Sequence, residues 1–212
     1  MAIIYRAELT PGKQEVVTTW LASQPWSQVS ASDSIEMVGA FRFDDPAGEV
    51  GIETHIVRRP DGQVMQVPLT YRGAALEGAE GHLVAEMEHS VLGHRWVYDA
   101  TGDPVYAAAL ASTILRGQAG ADQYLDVEGT LAALPSTVVV HGFGDPDAAE
   151  PVVTTATPST ADTPDGGSVV TISTDGPTLA VYLTPRPAHG DEGQLTGRWD
   201  GLGDSVLLAA IV

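Results

Sequence analysis

His82, Glu86 and His89 stand at i, i+4 and i+7, a spacing that on a helix puts two imidazoles and a carboxylate on one face, where they could hold a divalent cation. The same spacing also describes the solvated side of an amphipathic helix whose buried side is Leu83, Val84, Met87 and Val91, and that simpler reading is preferred. His89 could also serve as a general base oriented by Glu53 or Asp99, yet no nucleophile stands beside it in a recognisable pattern. An architectural role for His89, bonded to a loop carbonyl, is the stronger expectation.

Asp44, Asp45 and Glu49 form a second carboxylate group, and paired carboxylates can cleave glycosidic bonds when a cleft fixes their separation. Bounded by Pro46 and Gly48, they read instead as exposed turn formers. Aromatic faces can stack on sugars, which makes Trp26, Trp199 and Tyr182 the sugar-binding candidates; Trp20 belongs to a helical stripe and Trp96 to a compact motif filling a seam between helix and sheet. Core packing competes with that role for Trp26 and Trp199. No catalytic residue, cofactor-binding residue or cofactor is assigned.

The elements that position these residues centre on a three-stranded meander. Ile35, Met37, Phe41 and Phe43 alternate with Glu36 and Arg42; Val50, Ile52 and Ile56 stand opposite Glu49, Glu53 and His55; Met65, Val67, Leu69 and Tyr71 align in the third strand. Asp44–Gly48 and Pro60–Gly62 supply the turns. Ahead of the meander, residues 2–9 predict a strand, and Thr10-Pro11 the cap and first turn of a helix carrying Val16, Val17, Trp20 and Leu21 to Pro25.

Beyond the meander a second helix is expected from His82 to Gly93, a short extended piece at Arg95–Tyr98, and a third helix capped by Asp103-Pro104 and closed by Gly117. From about Gln118 short strands follow, at 137–140, 152–155, 168–173, 179–183, 194–199 and 205–211, with a mobile hairpin loop at 154–167. The expected fold is α+β, an antiparallel sheet packed on helices over residues 1–117 and a β-rich subdomain or sheet extension over residues 118–212.

Composition narrows the function classes. A net charge of −18 disfavours nucleic acid and anionic membrane surfaces. The absence of Cys removes thiolate chemistry and disulfides. With no apolar run of membrane-spanning length and no leader pattern, a soluble, cytoplasmic protein is expected.

Several motifs resemble one family in order and spacing: 41–54 (Phe41-Arg-Phe-Asp-Asp-Pro-Ala-Gly-Glu-Val-Gly-Ile-Glu-Thr54), Val67-Pro-Leu-Thr-Tyr-Arg-Gly73, Met87-Glu-His-Ser-Val-Leu-Gly93, Arg95-Trp-Val-Tyr-Asp99 and Asp103-Pro-Val-Tyr106. Together they are similar to the N-terminal cap domain of actinobacterial maltokinases and related aminosugar kinases, over about the first 116 residues. The resemblance implies a cystatin-like cap and a link to maltose, trehalose and glycogen-like α-glucan metabolism. It carries over no catalytic residue. No glycine-rich phosphate loop follows a strand, the sole lysine, Lys13, lies at a predicted helix start, and His141-Gly-Phe-Gly-Asp145 lacks the spaced Asp and Asn of a sugar-kinase catalytic loop. The resulting expectation is a non-catalytic cap-like accessory protein whose partner is a sugar kinase or glucan-metabolising enzyme. An α-glucan or maltooligosaccharide-binding module and a hydrolase-type enzyme are the alternatives.

Overall fold

The computed structural model describes residues 1–127, 129–159, 168–174, 178–189 and 195–211. In chain order its elements are β1 (Ala2–Tyr5), β2 (Leu9–Thr10), α1 (Lys13–Ser23), β3 (Glu36–Phe43), β4 (Gly51–Arg58), β5 (Val64–Arg72), β6 (Leu83–His89), β7 (Gly93–Asp99) and α2 (Pro104–Leu115). They continue with β8 (Gln123–Val127), β9 (Thr130–Leu134), β10 (Val138–Gly142), β11 (Val153–Ser159), β12 (Ser168–Thr174), β13 (Leu179–His189), β14 (Leu195–Trp199) and β15 (Val206–Ile211). Among the described residues β-strand is the predominant structure, with two α-helices and several antiparallel sheets.

The expected meander is present. β3, β4 and β5 pair antiparallel, and the two turns are closed by Gly48 and Gly62 at φ 72° and 89°, where a β-carbon would be strained. Three further strands, β2 ahead of the meander and β6 and β7 after it, complete a six-stranded sheet in the order β2-β6-β7-β5-β4-β3. Helix α1 covers one face, placing Val16, Val17 and Leu21 against Val57, Met65, Val67, Leu69, Met87 and Val97. The other face packs Ile52 and Ile56 against Leu110, Ala111 and Ile114 of α2 and against Ile172, Val181 and Leu208 of a second six-stranded sheet, ordered β10-β14-β15-β13-β12-β11. Gln66 of β5 ties the two sheets together by donating to the carbonyls of Thr184 and Leu208.

Burial on both faces corrects the reading of β4. Its supposedly solvated side, Glu53 and His55, is buried as fully as Ile52 and Ile56. β3 departs from simple alternation for a different reason: the register slips between Met37 and Gly39, and one extra residue in a bulge reverses the facing of every side chain after it. Ile35 and Met37 therefore pack under α1, whereas Phe41 and Phe43 pack toward α2.

Local signals placed α2 well. Asp103 caps it by accepting from the Val105 amide at 2.9 Å, Pro104 opens the first turn, and Gly117 follows its end at φ 60°. At α1 the cap is different from expectation, since Gly12, not Thr10, precedes the first helical residue and gives no side-chain bond. The opening strand is divided: β1 runs parallel to β8, and β2 pairs with β6.

The helix expected from His82 is a strand. β6 pairs antiparallel with β7 through a hairpin whose Gly93 has φ 75°, so the glycine read as a helix stop is a turn residue. Apolar residues at 83, 84 and 87 satisfy a helical period, but alternation of Ala85 and Met87 with Glu86 and Glu88 satisfies a strand as well, and ladder pairing on the β5–β7 edge selects the latter. The later strands fall where turn residues predicted them, except that β8 and β9 were not anticipated, β13 runs on to His189, and the strand expected at 152–155 continues as β11 through Ser159 into residues expected as loop. The remainder of that expected loop, 160–167, lies outside the described residues.

Candidate functional site

The most concentrated polar chemistry lies on the α1 side of the first sheet, where four elements converge on Glu53. Lys13 from the first turn of α1 donates to Oε2 at 2.5 Å, Arg42 of β3 lies 2.9 Å from Oε1, and His55 of β4 lies 3.6 Å from Oε2. Tyr71 of β5 adds a hydroxyl 3.1 Å from His55 Nε2, and its ring lies 5.6 Å from the Lys13 ammonium. Alternation explains the convergence: Glu53 and His55 are two apart on β4, and Arg42 and Glu53 are directly opposed in the β3–β4 register.

Burial by itself would raise the Glu53 pKa, but the positive charges of His55 when protonated, Arg42 and Lys13 outweigh it and hold the carboxyl well below its usual range. Burial pushes His55 down to about 4 against the pull of Glu53, so at neutral pH the imidazole is uncharged. Burial and the neighbouring Glu53 charge raise the Tyr71 hydroxyl far above ordinary phenols, with Arg42 opposing. The cluster is thus a carboxylate flanked by Lys13 and Arg42 and by a neutral His–Tyr pair.

A cavity of about 380 Å³ opens over this cluster, and its wall includes Lys13, Arg42, Glu53, Tyr71, His89 and Arg95. His89 and Glu53 therefore share one cavity, as the general-base reading required. Neither orients the other: both Glu53 oxygens are engaged by Lys13 and Arg42, and His89 Nδ1 accepts from the amides of Val91 and Leu92 at 3.2 and 3.0 Å. The partners of His89 are loop amides, not the expected carbonyl. Asp99 is elsewhere, accepting from Thr101 N and Oγ1.

The other sequence candidates are dispersed. His82 sits in a single 3-10 turn, and Glu86 and His89, three apart in β6, leave opposite faces of the strand, so the three do not form the helical face that a metal would need. Among the described residues no group of three His, Asp or Glu side chains is placed to hold a metal ion. Glu86 instead pairs with His94, which bridges it to Glu88. Asp45 is a turn former, accepting from Ala47, Glu49 and Val50 amides, and Asp44 pairs with the Met1 ammonium. Trp199 is buried in the core beside α2, which removes it as a sugar platform, and half-buried Trp26 meets Trp20 edge-on at 6.0 Å under α1. The side chain of Tyr182 lies outside the described residues. Trp96 does not fill a helix–sheet seam; it is half-buried beside His94, with ring centroids 4.4 Å apart.

Residues 20–103 match the maltokinase N-terminal cap domain. The chain carries a cap-like domain. The match runs from within α1 to the cap of α2, so Arg42, Glu53, His55, Tyr71, His89 and Arg95 belong to the cap-like region, whereas Lys13, all of α2 and the second six-stranded sheet lie beyond it. No curated protein matches the chain.

The Glu53 cluster is not legible in the sequence because Arg42, Glu53 and His55 carry the alternation of polar strand faces, while Tyr71 falls on an apolar face and Lys13 at a helix start. One signal pointed to it: Lys13 is the sole lysine of a strongly acidic chain, and a lone cation in such a background is better explained by a fixed partner than by solubility.

Proposed function

We propose that this protein is a non-catalytic, cap-like accessory module that docks on a sugar kinase or glucan-metabolising enzyme in maltose, trehalose and α-glucan metabolism. The match of residues 20–103 to the maltokinase N-terminal cap domain carries the reading, since it supports an association with a maltokinase-like enzyme. The first sheet with α1 is taken as a cystatin-like cap over residues 1–117, and residues 118–212 as its β-rich extension; the setting is the cytoplasm.

An open surface supports docking. The three-stranded sheet β1-β8-β9 ends on β9, whose five residues Thr130-Leu-Ala-Ala-Leu134 are all exposed and uncharged and pair only with β8 among the described residues. Such an edge offers unpaired backbone groups to an incoming strand.

Affinity capture from an actinobacterial lysate, with maltose and glycogen titrated calorimetrically on the same preparation, tests the proposal. Recovery of a sugar kinase or a glucan-synthesising enzyme, without heat from either sugar, is expected. Heat of sugar binding with no such enzyme recovered overturns it in favour of a carbohydrate-binding module.

A further inference from the structure

The cavity over Glu53 holds an imbalance between donors and acceptors. Three of the ten Lys and Arg side chains of a chain with net charge −18, Lys13, Arg42 and Arg95, line this one space. Its carboxylates are already occupied. Both oxygens of Glu53 face Lys13 and Arg42, both oxygens of Asp45 accept backbone amides, and Asp44 holds the Met1 ammonium, leaving only the exposed Glu49 at the rim.

The donors are not all occupied. Four arginine Nε groups are buried without an acceptor among the described residues, and two of them, Arg42 and Arg95, line this cavity. Arg95 is held in place by its Nη2, which donates to the Leu92 carbonyl at 2.5 Å. His89, whose Nδ1 accepts two amides, carries its ring proton on Nε2 and adds another N–H to the wall. Buried donors without acceptors are costly, and the group that satisfies several at once is an oxyanion. The remaining wall, including Leu9, Tyr71 and Met87, is apolar or aromatic and suits a carbon skeleton.

We infer that this cavity binds a small organic anion, a carboxylate or a phosphate ester, whose oxygens accept from Arg42, Arg95 and Lys13 and whose carbon skeleton lies against Tyr71 and Leu9. Nothing in the inference depends on a kinase partner, and it stands or falls separately from the accessory role.

The test is NMR of the full ¹⁵N-labelled chain, following arginine Nε–H resonances during titration with inorganic phosphate, with malonate, and with maltose as a neutral control, at constant ionic strength. Saturable shifts of the Arg42 and Arg95 Nε–H signals are expected with at least one anion, and the tighter of the two assigns phosphate ester or carboxylate. Arg42→Gln leaves Glu53 short of a partner and risks unfolding, so Arg95→Gln, which leaves the Glu53 pairs intact, is the variant of choice. It should weaken binding by about tenfold or more, the loss of one charge-assisted hydrogen bond. Absence of saturation with both anions, shifts confined to other arginines, unchanged affinity in Arg95→Gln, or a response to maltose alone would each overturn the inference.

Discussion

Lys13 Nζ lies 2.5 Å from Glu53 Oε2, joining the first turn of α1 to the middle of β4 by the only lysine in the chain. The two ends of this bond are not equivalent. Glu53 is buried and has a second cation in Arg42, whereas Lys13 is partly exposed. Replacing Glu53 by Gln strands two cations and should cost about 3–5 kcal/mol, but Lys13→Gln leaves the Arg42 pair and should cost on the order of 1 kcal/mol. Urea denaturation of both variants measures the asymmetry; equal losses would mean that Arg42 does not hold Glu53.

His55 should give the protein an acid-sensitive stability. Facing it are Glu53 on its own strand, Lys13 from α1, Arg42 from β3 and Tyr71 from β5. The folded imidazole takes up a proton only near pH 4, against an ordinary value of 6.5 in the unfolded chain. Between these values the unfolded state binds more protons, so stability falls as pH drops through that window, by on the order of 3 kcal/mol. Glu53, whose folded pKa is depressed, adds a loss that begins as pH falls into the ordinary carboxylate range, near 4.5, and continues below it. In His55→Gln the loss between pH 6.5 and about 4 should vanish while the lower one persists. An unchanged profile of urea midpoints against pH in that variant would rule out His55 as the source.

Asp103 should be the most sensitive position at the entry to α2. Fully buried, it accepts from Arg72 Nε and Nη2 at 2.7 and 2.6 Å, from Thr70 Oγ1 at 2.8 Å and from the Val105 amide. Asp103→Ala removes a helix cap and the partner of a guanidinium together, and is expected to cost about 3–5 kcal/mol. Asp103→Asn keeps the cap and loses the charge, for about 1–3 kcal/mol. Chemical denaturation should rank Ala well below Asn.

The bulge in β3 can be tested by deletion. Removing Val38 restores simple alternation and turns either Ile35 and Met37 or Phe41 and Phe43 away from their clusters, a loss of about 4 kcal/mol or more. Circular dichroism and thermal melting report it, and a variant as stable as the parent would show that the register slip is not what assigns the faces.

Close backbone approach gives a further contrast. A β-carbon at Gly142 would run into the Thr113 carbonyl at the end of α2, whereas Gly81 has open space. Gly142→Ala should cost about 3 kcal/mol, and Gly81→Ala no more than about 0.5 kcal/mol, in matched denaturation curves.

What the amino-acid sequence determined by itself was whatever a few neighbouring residues decide. Gly48 and Gly62 close their turns because positive φ is a property of one residue, and Asp103-Pro104 starts α2 because a cap reaches only two residues ahead. Strands β10 and β12–β15 lie between turn residues that bound them, and the cap motifs from Phe41 to Asp99 fall within the family match over residues 20–103. Tertiary structure decided the rest. Leu83–His89 satisfies both a helical and a strand period, and only pairing with β7 resolves it. One bulge, invisible to alternation, sent Phe41 to a different cluster from Ile35. Glu53 and His55 carry the alternation of a solvated strand face, and became a buried ionic cluster because α1 and the β3 and β5 neighbours bring Lys13, Arg42 and Tyr71 over them. Pairing across 40 residues of chain is a property of packing, which no local spacing encodes.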